Sequence, residues 1–197
     1  HSAESYISRL IKKGYKVAIC EQVEDPSKAK GLVDRQVVKV ITPGTVIDSS
    51  TLDEKKNNYL MCIYKKGYYF GLSVTDISTG ELYSTQISWG NTFNKLMDEI
   101  AKYSPAEIIA NPELVGDKKL LAQIRTRCGA FISPCGDHYF TRENVRDRLA
   151  DRFKNNEILS ESFSFAAFSA AALLQYLEET QKAALKHIQT LNLYRID

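Results

Sequence analysis

The order of elements legible in the sequence predicts an α/β fold, a mixed sheet flanked by helices and preceded by a partial α/β segment. Three observations carry this. Runs of apolar, β-branched and aromatic residues at 58–64, 68–75 and 81–87 are separated by Lys65-Lys66-Gly67 and Ser78-Thr79-Gly80, so they read as consecutive antiparallel strands joined by tight turns. Helix and strand periodicities then alternate from Phe93 to Ile132. A polar stretch between Asp48 and Asn58 sets these elements apart from a helix and two strands near the start.

In chain order, Ser2 reads as an N-cap of a first helix, with Tyr6, Ile7, Leu10 and Ile11 at helical spacing and Gly14 ending it. A strand follows over 15–20. The polar segment 21–31 carries a turn signal at Asp25-Pro26. Arg35 to Ile41 is a β-branched strand, stopped by Thr42-Pro43-Gly44-Thr45. After the three-strand meander, Phe93, Leu96, Met97 and Ile100 recur at i, i+3, i+4 and i+7, giving an amphipathic helix that ends near Tyr103, before Ser104-Pro105. Residues 106–110 form a short apolar strand, 114–127 a helix and 130–132 a strand. A charged helix follows over 141–154, with Val145, Leu149 and Phe153 as its apolar seam. An Ala-rich helix over 163–186 then approaches the sheet through small residues. Three antiparallel strands followed by helix, strand, helix and strand is the order of the ribonuclease-H-like fold. The expected boundaries are 1–48 for the first piece, 49–58 for the linker, 59–188 for the main domain and 189–197 for the start of a further connection.

Composition excludes several classes. The chain is 44% hydrophobic and 25% charged, which rules out largely disordered or collagen-like readings. Its formal charge of +2 is far from that of a dedicated polyanion binder. Residues 1–50 hold eight basic and six acidic side chains and so contain that small surplus. The longest uncharged stretch, 162–177, is shorter than the roughly 20 apolar residues of a membrane span. No apolar secretory stretch opens the chain, and His1 in place of Met points to a piece of a longer protein. Cys20, Cys62, Cys128 and Cys135 form no C-x-x-C pair. With His138 near Cys135 a zinc site is conceivable, but the spacing favours buried thiols in a reducing compartment. His1, His138 and His187 are read as structural or surface residues.

The residues also carry a resemblance. Gly14-Tyr15-Lys16-Val17-Ala18-Ile19-Cys20-Glu21-Gln22, Asp25-Pro26, Lys30-Gly31 and the run from Arg35 to Thr45 resemble the closing part of the mismatch-binding domain of the MutS family, bacterial DNA mismatch-recognition ATPases. Asp76 to Gly80 and the stretch from Leu173 through Gln181 to Ile188 resemble that family's connector domain, which is ribonuclease-H-like. The resemblance implies a non-catalytic piece that links a DNA-contacting domain to core and ATPase domains. Its partners would be mismatched double-stranded DNA and MutL, reached through the full-length protein. That parent would be a cytoplasmic, nucleoid-associated homodimer using ATP and Mg²⁺, while this piece would be a monomer without cofactor, metal or membrane. The family's Phe-x-Glu wedge is missing, since none of the eight phenylalanines is followed two residues later by Glu. No G-x-x-x-x-G-K-[ST] phosphate loop occurs either.

Candidate residues follow. Arg35 and Lys39 are four apart on a strand and are expected to project from one face. From the residues alone they are a solvated face, whereas the resemblance implies contacts to the DNA backbone. Lys12, Lys13 and Lys16 add local positive charge. On the charged helix, Arg142, Glu143, Arg146, Asp147 and Arg148 read as an exposed, ion-paired surface. The resemblance makes Arg146, Asp147 and Arg148 a docking face for MutL. The competing reading is a metal-dependent ribonuclease-H-like nuclease, which needs converging carboxylates around two ions. Strand 58–64 has no acid, Asp76 sits in turn chemistry, and Glu107 and Asn111 bracket one strand; a purely structural version of the fold is favoured.

Overall fold

The computed structural model describes residues 2–23, 33–47, 57–153 and 156–196. His1, Asp25-Pro26, Lys30-Gly31, Lys154 and most of the 49–58 linker lie outside the described residues.

The first piece comprises helix α1 (Ser2–Lys12) and the antiparallel pair β1 (Val17–Gln22) and β2 (Arg35–Ile41). The main domain is a six-stranded sheet. Its strands are β3 (Tyr59–Lys66), β4 (Tyr69–Asp76), β5 (Glu81–Ile87), β6 (Glu107–Ala110), β7 (Phe131–Pro134) and β8 (Thr190–Leu193), in the spatial order β7-β6-β3-β4-β5-β8. β3, β4 and β5 form the antiparallel meander, while β6 runs parallel to β3, β7 parallel to β6 and β8 parallel to β5. β8 is a strand that the sequence reading leaves outside the sheet. Four residues with only Leu191 and Leu193 in contact with the core give too short a pattern to read, and pairing with β5 creates the strand.

Alternation along β3 divides the core. Leu60 and Cys62 face one layer, built on helix α6 (Ser164–Gln181) and Leu149 of α5 (Arg142–Leu149). Met61 and Ile63 face the other, built on α2 (Thr92–Tyr103) and α4 (Lys118–Cys128). Both faces of β3 are therefore covered, as its near-continuous apolar run requires. The alanines of α6 let it press onto β4, where Ser169 shares a hydroxyl contact of 2.7 Å with Ser73, which in turn meets Ser84 at 2.8 Å.

Several helix boundaries differ from the sequence reading. The helix expected over 114–127 is two, α3 (Pro112–Gly116) and α4, because the Asp117 carboxylate accepts from the Leu120 amide at 3.0 Å and caps a new start. α5 stops at Leu149 instead of running to 154. Beyond it the Arg152 guanidinium donates to the carbonyls of Leu185 and Ile188, which holds the chain against the end of the next helix. α6 ends at Gln181 and tightens into a 3₁₀ segment, Lys182–Lys186. No helix among the described residues is long and apolar enough to cross a membrane.

Candidate site at the junction of the two pieces

The chemistry of the molecule concentrates around one carboxylate. Glu107 opens β6, the strand beside β3, and it is completely buried. A buried carboxylate is costly unless donors surround it, and here four do. Ser133 donates to one oxygen at 2.7 Å and Tyr176 to the same oxygen at 2.5 Å. Thr42 donates to the other oxygen at 2.6 Å and the Gly44 amide at 2.8 Å. These donors come from β7, from α6 and from the Thr42-Pro43-Gly44-Thr45 turn that closes the first piece.

The turn is shaped for this role. Thr42 and Thr45 are fully buried, and the Thr42 amide donates to the Thr45 hydroxyl at 2.9 Å, so the turn folds on itself and leaves its outer donors for Glu107. Gly44 must be glycine for reasons of space: a Cβ there would sit 2.8 Å from Leu60 and 2.9 Å from Glu107. The Thr45 carbonyl accepts from the Gln181 side-chain amide at the end of α6. Lys16, at the entry to β1, sits 5.1 Å from the centre of the Tyr176 ring, a cation–π contact on the same tyrosine. Burial, then the charge of Glu107 and the hydrogen bond to it, hold the Tyr176 phenol well above its ordinary range.

The other candidates fall as follows. The register of β1 on β2 shifts between Ile19 and Cys20, leaving Val38 as the extra residue. Such a bulge breaks simple alternation. Arg35 and Lys39, expected on one face, therefore do not share it by strand periodicity. Both are exposed, and Lys39 lines a cavity of about 310 Å³ with Glu4, Ile7, Ile11 and Val46. On α5, Arg146 and Asp147 are exposed and 3.8 Å apart. Arg148 is turned inward, donating to Asn144 at 2.6 Å and pairing with Glu178 of α6.

Asp76 serves its turn, accepting from the Ser78 amide at 2.9 Å and the Ser78 hydroxyl at 2.6 Å, with its second oxygen on the Asn58 amide. Asn111 exchanges two hydrogen bonds with the Lys65 backbone at 2.9 and 2.8 Å, so its amide extends the β6–β3 ladder in place of a backbone group. Neither is free for metal chemistry, and every lone-pair direction of Glu107 is taken by a protein donor. Among the described residues no group of three His, Cys, Asp or Glu side chains could hold a metal ion. Cys62 and Cys135 are buried, and burial pushes the Cys135 thiol up to about 12. The sequence flagged Glu107 only as an acid on an apolar strand. The available signal was an acidic residue leading an Ile-Ile-Ala run, a pattern that forces burial with partners from elsewhere.

Comparison with known proteins agrees along the whole chain. Residues 1–50 match the family model described as MutS domain I, and residues 58–189 match MutS domain II. The DNA mismatch repair protein MutS of Acetivibrio thermocellus is 53% identical over 197 residues, covering 100% of this chain and 23% of that protein. The same-named protein of Ruminiclostridium cellulolyticum is 52% identical over 197 residues, again 100% and 23%. That of Methanosarcina acetivorans is 41% identical over 208 residues, 98% of this chain and 23% of that protein. The chain thus spans under a quarter of the length of these relatives.

Proposed function

The chain belongs to the MutS family, with residues 1–50 matching its domain I and residues 58–189 its domain II, and from this we propose that it is the mechanical relay of a DNA mismatch-repair ATPase. In this reading residues 1–48 end the mismatch-binding domain, 49–58 link, 59–188 form the connector and 189–197 lead toward the core. The Glu107 junction is the observation that carries it. A turn closing the DNA-side piece is clamped, through one buried carboxylate, to the middle of the connector sheet and to α6 at once. A displacement of the first piece therefore loads β6, β7 and α6 together.

Arg35 and Lys39 contact DNA phosphates in the full-length protein, positioning it without reading sequence. Arg146 and Asp147, exposed on the outer face of α5, meet MutL, and Arg148 holds that helix in place. The full-length protein is a cytoplasmic homodimer that clamps mismatched DNA and switches with ATP and Mg²⁺. The 197-residue chain is a monomer with weak, salt-sensitive, mismatch-independent DNA binding. The test is to carry Glu107→Gln in the full-length protein. Mismatch binding without nucleotide is expected to persist, and the ATP-driven change in DNA binding to weaken several-fold. An unchanged ATP response would end the relay reading. A tenfold preference of the short chain for a mismatched over a matched duplex would contradict its assigned role.

A further inference from the structure

The end of the sheet that carries the β3–β4 turn and the β5–α2 loop presents aromatic rings to solvent. Tyr68 is 84% exposed and Trp89 is 79% exposed, with Tyr69 and Phe93 partly so. Isolated exposed aromatics are ordinary, but four on two adjoining loops and the first residues of the elements they lead into, beside a groove, are not. Register places the loops together, since Phe70 at the start of β4 pairs with Ile87 at the end of β5. From this end two connected hollows of about 430 and 740 Å³ run between α2 and α4, sharing Phe93 and Gln123.

Charge at this end is one-sided. Lys65, Lys66, Lys95, Lys118 and Lys119 stand on the turns and first helical turns at this end, against Glu113 and Asp117, a surplus of three where the whole chain carries +2. Both acids are occupied. Glu113 accepts from the Gly67 amide at 2.6 Å and pairs with Lys65 at 3.4 Å, and Asp117 caps α4 while lying 3.8 Å from Lys65. Lys119 and Arg127 line the hollows, one in each.

We propose that this end is a binding surface for single-stranded nucleic acid, with bases stacked on Tyr68 and Trp89 and phosphates led past Lys66 and Lys119 into the α2–α4 groove. Rings held out at loop tips suit stacking on any base, and unpaired lysines beside them suit a flexible phosphate chain better than a stiff duplex. An acidic protein segment is the rival occupant, and a groove without projecting rings would serve it better. The surface lies apart from the Glu107 junction, so the proposal does not rest on the relay reading.

Trp89 is the only tryptophan of the chain, so its emission reports on this surface alone. Titration of the 197-residue chain with oligothymidylate is expected to quench it. Neutralising about three phosphates should weaken affinity roughly 20-fold between about 50 and about 200 mM salt. With a labelled oligonucleotide followed by anisotropy, Trp89→Ala should bind roughly tenfold more weakly and Trp89→Phe should recover most of the loss, because stacking needs only a ring. Lys66→Gln with Lys119→Gln should flatten the salt dependence. Absence of quenching overturns the proposal. Equal quenching by polyglutamate overturns it in favour of an acidic protein segment. Equal binding of a duplex, indifferent to Trp89→Ala, reduces the patch to nonspecific surface charge.

Discussion

The Tyr176 hydroxyl donates to a Glu107 carboxylate oxygen at 2.5 Å across 69 positions of chain, and both side chains are buried. The pair anchors the long helix to the sheet at the point where the first piece docks. Replacing Glu107 with Gln keeps the shape but turns an NH₂ toward groups that donate. Two of the four donors lose their acceptor, which should cost about 3 kcal/mol of stability. Urea denaturation of the wild-type and Glu107→Gln chains checks the magnitude. Hydrogen exchange should show the largest loss of protection at the Gly44 amide.

Alkaline stability follows from the same tyrosine and two others. Burial and the hydrogen bond from Tyr194 to Glu99 raise its phenol, and burial with the bond to Glu179 raises that of Tyr139, as burial and Glu107 raise Tyr176. The folded state therefore keeps phenolic protons that the unfolded chain releases near pH 10. Their stabilisation is fully present below about pH 10 and is lost as pH rises through the folded-state values. Urea midpoints should fall steeply above about pH 10, and Tyr176→Phe should make that fall shallower.

Much of this fold is legible in the sequence because it is local. The strand Arg35–Ile41 and the strand Glu81–Ile87 are set by β-branched or alternating residues between turn signals, and α2 by its apolar stripe and the Ser104-Pro105 stop. What escapes is non-local. Thr42 to Thr45 read only as turn chemistry, since nothing in four residues announces a carboxylate 65 positions away. β8 exists through pairing with β5, and the bulge at Val38 through a register that depends on β1. The break at Asp117 was readable in principle, because Gly116-Asp117 joins a poor helix former to a capping residue.

Gly71 marks a close approach of α6 to the sheet. A Cβ there would lie 1.9 Å from the Phe165 carbonyl oxygen and 2.3 Å from its carbon, both backbone atoms. Gly71→Ala must push the start of α6 away from β4, an overpacking cost of about 2–3 kcal/mol. Thermal unfolding should show it, and Gly67→Ala is no substitute control because Gly67 has a positive φ of 59°. Gly116→Ala, where a Cβ meets nothing within 4 Å, should change stability little.

Arg146 and Arg148 lie two residues apart and should behave differently. Arg146 is 73% exposed in its side chain and pairs loosely with Asp147, so Arg146→Ala should alter stability by under about 0.5 kcal/mol. Arg148 joins Asn144 to Glu178 with its side chain 23% exposed, and Arg148→Ala should cost about 1 kcal/mol after solvent screening. Denaturant midpoints distinguish them. Any loss of MutL binding by Arg146→Ala then reflects the surface and not the fold.

The dispersal of the four donors along the chain also governs how synthesis must proceed. Thr42 and Gly44 leave the ribosome well before Glu107, and Tyr176 follows Glu107 by 69 residues. At about 5–20 residues per second, the carboxylate waits roughly 3–14 s for its last partner. During that interval water must serve the acid, and the early segment has no finished seat on which to come to rest.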